Sequence, residues 1–230
     1  MRMFQDRRDA GRKLAQRFDA FVGTPDLVVL ALPRGGVPVG YEVATRLGAP
    51  LDVLVVRKLG VPGHSELAMG AIASGGIQVV DQRVMEMVGV SRDELEAVAR
   101  SERDELDRRE RAFRGGRPAL DVTGKTAILV DDGLATGASM AAAIDALRTR
   151  GPARIIAAVP VAPPETCEAL GRRADEMICL DTPERMYAVG LWYEDFTQTS
   201  DAEVRQLLDA VAREVPARTT AATDAGRRAR

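Results

Sequence analysis

The stretch Ile128-Leu-Val-Asp-Asp-Gly-Leu-Ala-Thr-Gly-Ala-Ser-Met140 decides how this chain is read. Ahead of it, polar Gly124 and Lys125 give way to an apolar run at 127–130, and an unbroken apolar run is how a parallel strand buried on both faces reads. The run ends on two adjacent carboxylates, Asp131 and Asp132. Side by side at the carboxyl end of a strand they repel each other, and burial would raise their pKa values unless a cation or hydroxyl donors compensate. Gly133 and Gly137 then let the backbone turn tightly and approach a ligand, Thr136 adds a hydroxyl, and the following helix offers unpaired N–H groups. A helix N-terminus attracts phosphate. The pattern reads as a cradle for a phosphorylated sugar. The plain alternative is a strand–turn–helix corner with a chance Asp-Asp, since acids at strand ends are common in α/β turns.

Four apolar residues, two acids, Gly-x-x-Thr-Gly and a small residue resemble the phosphoribosyl-pyrophosphate signature of the type I phosphoribosyltransferase family. Competing motifs fail on spacing: the chain has no G-x-x-x-x-G-K-[ST], no G-x-G-x-x-G after a strand and no G-x-S-x-G elbow. The resemblance covers roughly residues 27–196. It implies Mg²⁺-dependent transfer of a 5-phosphoribosyl group from phosphoribosyl pyrophosphate to a nucleophilic acceptor, a nucleobase among the candidates, with release of pyrophosphate. It also implies roles for the central stretch. Asp131 and Asp132 would meet the ribose hydroxyls, and Gly133, Leu134, Ala135, Thr136, Gly137, Ala138 and Ser139 the 5-phosphate.

Length and composition agree with one soluble enzyme. The 230 residues fit one domain, 46% of them are apolar, and the net charge is -2, which gives no global electrostatic reason to expect nucleic acid or an anionic membrane as partner. Cys167 and Cys179 are too few for a disulfide framework and have no histidine beside them for a zinc-type cluster, so both read as small apolar core residues. With no secretory h-region and no membrane-length segment, a cytoplasmic protein is expected. Its partners are then small molecules, the donor and an unidentified acceptor, with a homodimer as the assembly entertained.

Working outward from the motif, residues 4–21 suit an amphipathic helix covering the sheet's edge. The apolar run 27–32 reads as the first strand, emptying into Pro33, Arg34, Gly35 and Gly36 before a helix at 37–47. By spacing alone Arg-Gly-Gly is an ordinary βα turn. In the resembled family the loop after the first strand holds pyrophosphate, often through a non-proline cis peptide, and Arg34, Gly35 and Gly36 occupy that place. A second strand at 51–56 ends at Arg57 and Lys58, and Lys58 is a further pyrophosphate candidate because strand carboxyl ends collect at one ligand-binding rim. Residues 60–76 are small and read as loop, with 68–73 and 77–80 as a possible hairpin and His64 as an exposed loop histidine in preference to a catalytic one.

Ser91 and Glu94 form a capping box for a charged helix to about 113, stabilised by pairs such as Asp104 with Arg108. Its arginines and those beyond (Arg108, Arg109, Arg111, Arg114, Arg117) read first as a solvated face. The resemblance offers a second reading, a basic tip on a lid at about 60–118 closing over the substrate. After the motif, strands at 154–160 and 176–180 and a helix at 163–170 complete an alternation that means a parallel sheet. The expected fold is thus α/β, Rossmann-like, a mostly parallel sheet flanked by helices, with a charged helical insertion and a small C-terminal hood. Its core lies at about 27–182, within a domain at 1–215.

The hood, about 183–200, holds the single Trp and two of the three Tyr. It is similar to that of hypoxanthine-guanine phosphoribosyltransferases, which implies Tyr187 and Val189 at the acceptor and Glu194 or Asp195 at the metal. Trp192, Tyr193 and Phe196 read as core. The family's short basic segment before this point is missing here. A helix at 201–215 and a disordered tail at 216–230 end the chain. From a different functional class, a regulator that binds phosphoribosyl pyrophosphate without turnover, with RNA contacted through the arginines of 108–117, is the rival reading.

Overall fold

In the computed structural model residues 3–215 are described, apart from the side chains of residues 65 and 66, so the tail at 216–230 lies outside the described residues. Helix α1 (Arg7–Ala15) is capped by Asp6, whose carboxylate accepts from the Asp9 N–H, and it runs on as a 3-10 segment, Gln16–Phe21. Strand β1 (Leu27–Ala31), helix α2 (Gly36–Leu47) and strand β2 (Leu51–Val53) follow. Then come β3 (Val56–Val61), β4 (His64–Ala73), β5 (Ile77–Val80), α3 (Gln82–Val88) and α4 (Arg92–Arg114). The chain returns through β6 (Thr126–Val130), α5 (Ala138–Arg148), β7 (Arg154–Val161), α6 (Pro164–Gly171) and β8 (Glu176–Asp181). A 3-10 turn, Val189–Trp192, and helix α7 (Asp201–Glu214) complete it.

Five strands form a parallel sheet in the order β2-β1-β6-β7-β8. Side chains alternate across a strand, so Leu27, Val29 and Ala31 of β1 pack with α2 and α7 while Val28 and Leu30 pack with α5. Helices cover both faces, which is why the run had to be apolar throughout. The α/β reading of the sequence therefore holds.

The strand read at 51–56 is really two. Only Leu51–Val53 joins the parallel sheet, and from Val56 the chain enters a second, antiparallel sheet in the order β3-β4-β5. Ser74 pins the corner between them, its Oγ accepting from the Val55 N–H at 2.8 Å. Residues 60–76 are consequently strand more than loop, and their small side chains have a steric reason: a Cβ on Gly70 would stand 2.3 Å from the Val79 carbonyl oxygen. The pairing of 68–73 with 77–80 is found, from Gly70↔Val80 to Ala73↔Ile77. His64 is exposed at the start of β4.

Three further readings need correction. Helix α1 lies on α2 rather than along the sheet's edge, and Gly11 permits the approach, since its Cβ would meet Glu42 Cβ at 2.9 Å. Helix α4 has the capping box on Ser91 and Glu94, but Arg108 pairs with Glu105 (2.8 Å) in place of Asp104. Cys167 and Cys179 are joined by a disulfide, because α6 packs on β8 and brings their Cα atoms to 6.7 Å.

Candidate active site

Parallel pairing of β1 with β6 puts Ala31 opposite Val130, so the loops leaving these strands emerge side by side. The Leu32 N–H donates to the Val130 carbonyl, and the chain then passes a cis peptide bond between Pro33 and Arg34 before α2 begins. Gly35 and Gly36 lie directly against the acid pair. A Cβ on Gly35 would fall 2.0 Å from Asp132 Oδ2, and one on Gly36 2.9 Å from Asp131 Cα. Gly35 has φ -60, which any residue adopts; it is glycine for space, because the Asp132 carboxylate fills the place of a side chain.

Beyond the acids, Gly133 adopts φ +153 and Gly137 φ +70, values that favour glycine. The turn between them is held from outside: Leu134 donates to the Val161 carbonyl at 2.9 Å, and Thr166 Oγ1 on α6 donates to the Ala135 carbonyl at 3.0 Å. Helix α5 then starts at Ala138 behind Gly137, which has no side chain to cap it, and the Ala138 N–H donates to Thr136 Oγ1 at 3.4 Å. Its first N–H groups are of the kind that meet a phosphate.

Two largely enclosed carboxylates need compensation. Burial, and then the charge of Asp132, push the Asp131 carboxyl well above the ordinary aspartate range. Burial also raises Asp132, opposed by the guanidinium of Arg7, whose Nε stands 2.7 Å from Oδ2. The same guanidinium donates through Nη1 to the Thr197 carbonyl at 2.7 Å and lies 3.9 Å over the ring of Phe196. Tyr193, 1% exposed, donates its hydroxyl to the Asp132 carbonyl oxygen, and burial pushes its phenol upward. Neither Arg7 nor Tyr193 stood out as a site residue in the sequence. Arg7 lies 125 positions from Asp132 on a helix whose pattern signals only packing, and Tyr193 was read as core, which it is, with its polar tip at the site.

The other sequence candidates divide. Val189 faces the acid turn, since a Cβ on Gly133 would come 2.5 Å from its Cγ1. Arg34 reaches toward the start of α7, Nη1 3.4 Å from Asp201 Oδ1. Lys58 lines a cavity of about 640 Å³ between the antiparallel sheet and α5, together with Ala138, Ala141 and Asp145, and the lining includes none of Arg34, Gly35 and Gly36. Tyr187 is 86% exposed. Asp195 is held below the ordinary aspartate value by its bonds to Thr197, and Glu194 donates its N–H to the Phe4 carbonyl.

Within the arginine run, Arg108 lies within electrostatic reach of Asp201, the partner of Arg34, whereas Arg114 and Arg117 are committed elsewhere. Arg108 and Arg109 pair with Glu105, buried Arg114 bridges Asp52 (2.9 Å) and Glu110 (2.9 Å), and Arg117 pairs with Asp209. These contacts join α4 and the segment after it to β2 and α7, so the basic-tip reading fails for Arg114 and Arg117. No helix among the described residues is long and apolar enough to cross a membrane.

The chain matches the family model described as phosphoribosyl transferase domain over residues 4–185. It is 48% identical over 214 residues to a Mycobacterium tuberculosis protein provisionally named a phosphoribosyl transferase, in an alignment taking 93% of this chain and 48% of that one. The chain thus spans about half the length of the curated relatives it matches. A crystal structure of the Thermus thermophilus protein TT1426 superposes with a TM-score of 0.81 at 45% identity, covering 90% of this chain and 98% of that one. An Aquifex aeolicus protein, AQ2163, shares the fold at TM-score 0.50 and 12% identity, over 88% of this chain and 85% of its own.

Proposed function

This chain belongs to the phosphoribosyl transferase domain family, and from that premise we propose that it uses phosphoribosyl pyrophosphate as donor and transfers the 5-phosphoribosyl group to a nucleophilic acceptor. One observation carries the reading: Gly35 and Gly36 give up their side-chain space to Asp132 and Asp131. A loop suited to pyrophosphate and a loop suited to a phosphorylated sugar are thereby fused at one rim. Ligands of open α/β sheets bind at such rims.

In this reading the α5 N-terminus and the hydroxyls of Thr136 and Ser139 receive the 5-phosphate. Asp131 and Asp132 accept from the ribose hydroxyls and hold the ring as carbon 1 gains oxocarbenium character. The backbone of Gly35 and Gly36 at the start of α2, with Arg34, meets the departing pyrophosphate, whose charge grows in the transition state. Lys58, a pyrophosphate candidate by sequence, is assigned instead to the 5-phosphate end, because it lines the same cavity as Ala138. The hood around Val189 and Tyr187 covers the acceptor side.

Hard carboxylate oxygens suit Mg²⁺, which takes one or two carboxylates and completes its shell with substrate phosphates and water. The acid pair fits, because Arg7 is one cation against two carboxylates. Asp131 and Asp132 are the residues that would hold the ion, with substrate phosphates completing its shell; among the described residues no three His, Cys, Asp or Glu stand together as a metal cluster, so the hood acids Glu194 and Asp195 are not grouped with the pair. When bound it would neutralise charge on the pyrophosphate.

The test is to incubate the full chain with phosphoribosyl pyrophosphate, Mg²⁺ and a panel of nucleobases and amines, following pyrophosphate release against a control without acceptor. Acceptor-dependent release that is lost in the D131N/D132N double variant is the expected result. Release without any acceptor would replace transfer by hydrolysis, and binding with no release would leave a sensor.

A further inference from the structure

We propose that Arg7 is a positioning residue of the donor site, fixing Asp132 for the ribose and tying that carboxylate to the hood. The inference rests on the donor reading above and adds a residue from outside its motifs.

The local sequence gives no reason for a cation at this place. Arg7 is the first residue of α1, where the helix dipole disfavours positive charge. It is nevertheless nearly buried, its side chain 11% exposed against 15% for Asp132. The guanidinium is engaged at three places: Nε by Asp132, Nη1 by the Thr197 carbonyl, and the flat face by Phe196. Arginine alone combines a rigid fork with a face that stacks on an aromatic ring, so lysine is no equivalent here.

The same group reaches the pyrophosphate loop. Arg7 Nε lies 3.2 Å from where a Gly35 Cβ would be, beside the Asp132 oxygen that fills this space. Arg7 engages Oδ2, and a carboxylate has two oxygens, so a sugar hydroxyl can be met by Oδ1 with Arg7 still in place. Because Thr197 and Phe196 belong to the hood, the acceptor side of the site helps to set the carboxylate that receives the donor.

Three probes separate this role from others: phosphoribosyl pyrophosphate, ribose 5-phosphate and inorganic pyrophosphate, each titrated calorimetrically into the full chain. R7Q is expected to weaken both sugar phosphates by the same factor, about tenfold, the scale for losing one charged hydrogen bond, and to leave pyrophosphate binding unchanged. In a D132N background R7Q is expected to cost nothing further. Should R7Q lose the native far-UV spectrum, R7K serves in its place, with the same split between ligands and a smaller loss. The inference is overturned if R7Q weakens pyrophosphate and spares ribose 5-phosphate, which would put Arg7 on the anion itself, or if the loss persists in D132N or is absent. An unaltered chain that binds none of the three ends the donor reading, a result distinct from any of these.

Discussion

Asp131 shows what the site costs the fold. Its carboxyl lies well above the ordinary aspartate value, first through burial and then through the charge of Asp132. A carboxyl raised in the native state keeps its proton to higher pH than the unfolded chain does. Between the ordinary aspartate range and the raised value the unfolded state therefore binds fewer protons, and stability falls as pH rises. Asparagine at 131 has no proton to lose. Without ligand or divalent cation, D131N is expected to melt higher than the unaltered protein at neutral pH, with a gap that closes as the pH drops toward the ordinary aspartate range. Thermal melts across that interval check this, and a gap constant in pH would refute it. The acid pair and its glycines were legible in sequence because they are contiguous and chemically unusual together. Arg7 was not: it reaches Asp132 only through the fold, and nothing near it in the chain marks it.

Helix α4 teaches a different lesson about legibility. Its start was readable from Ser91 and Glu94, because capping is local chemistry, and its apolar stripe of Leu95, Ala99, Leu106 and Phe113 joins the core it shares with the antiparallel sheet and α7. Toward its end Arg108 and Arg109 lie on a solvated face as expected but Arg114 is buried, a difference the sequence hides because a run of arginines looks the same in either setting. Arg114 makes a buried ion pair with Asp52, which also accepts from the Leu120 N–H at 3.0 Å. Removing one member of such a pair leaves an uncompensated charge, at a cost of about 3–5 kcal/mol. R114M is expected to lose stability on that scale in urea unfolding, and the D52N/R114M double variant to lose less than R114M alone. A double variant no better than the single one would mean that packing or the stranded Glu110, not the Asp52 charge, sets the cost. The division of 51–56 between two sheets escaped notice for a related reason: an apolar run does not say which sheet receives it.

At the scale of the whole molecule, residues 3–5 pair with the hood at 192–195 beside the site. The N–H groups of Met3 and Phe4 donate to the Trp192 carbonyl, Glu194 and Asp195 donate back to Phe4 and Gln5, and the ring of Phe4 lies 5.3 Å from that of Tyr193. Aromatics gathered near 190 could be read from sequence as a hood, but its N-terminal half could not, because strand-like pairing across the length of a chain leaves no periodic trace. Phe4 is 2% exposed, so F4A is expected to cost about 3–5 kcal/mol, the scale for truncating a buried phenylalanine. That is similar to the loss expected for R114M, and the comparison separates stability from function. Phe4 supports Tyr193, whose hydroxyl holds the Asp132 backbone, whereas Arg114 has no such connection. F4A is therefore expected to raise amide exchange at 189–197 and to weaken donor binding, while R114M, measured where it remains folded, binds the donor as the unaltered chain does. Equal donor affinity in the two variants would show that the hood can loosen without disturbing Asp132.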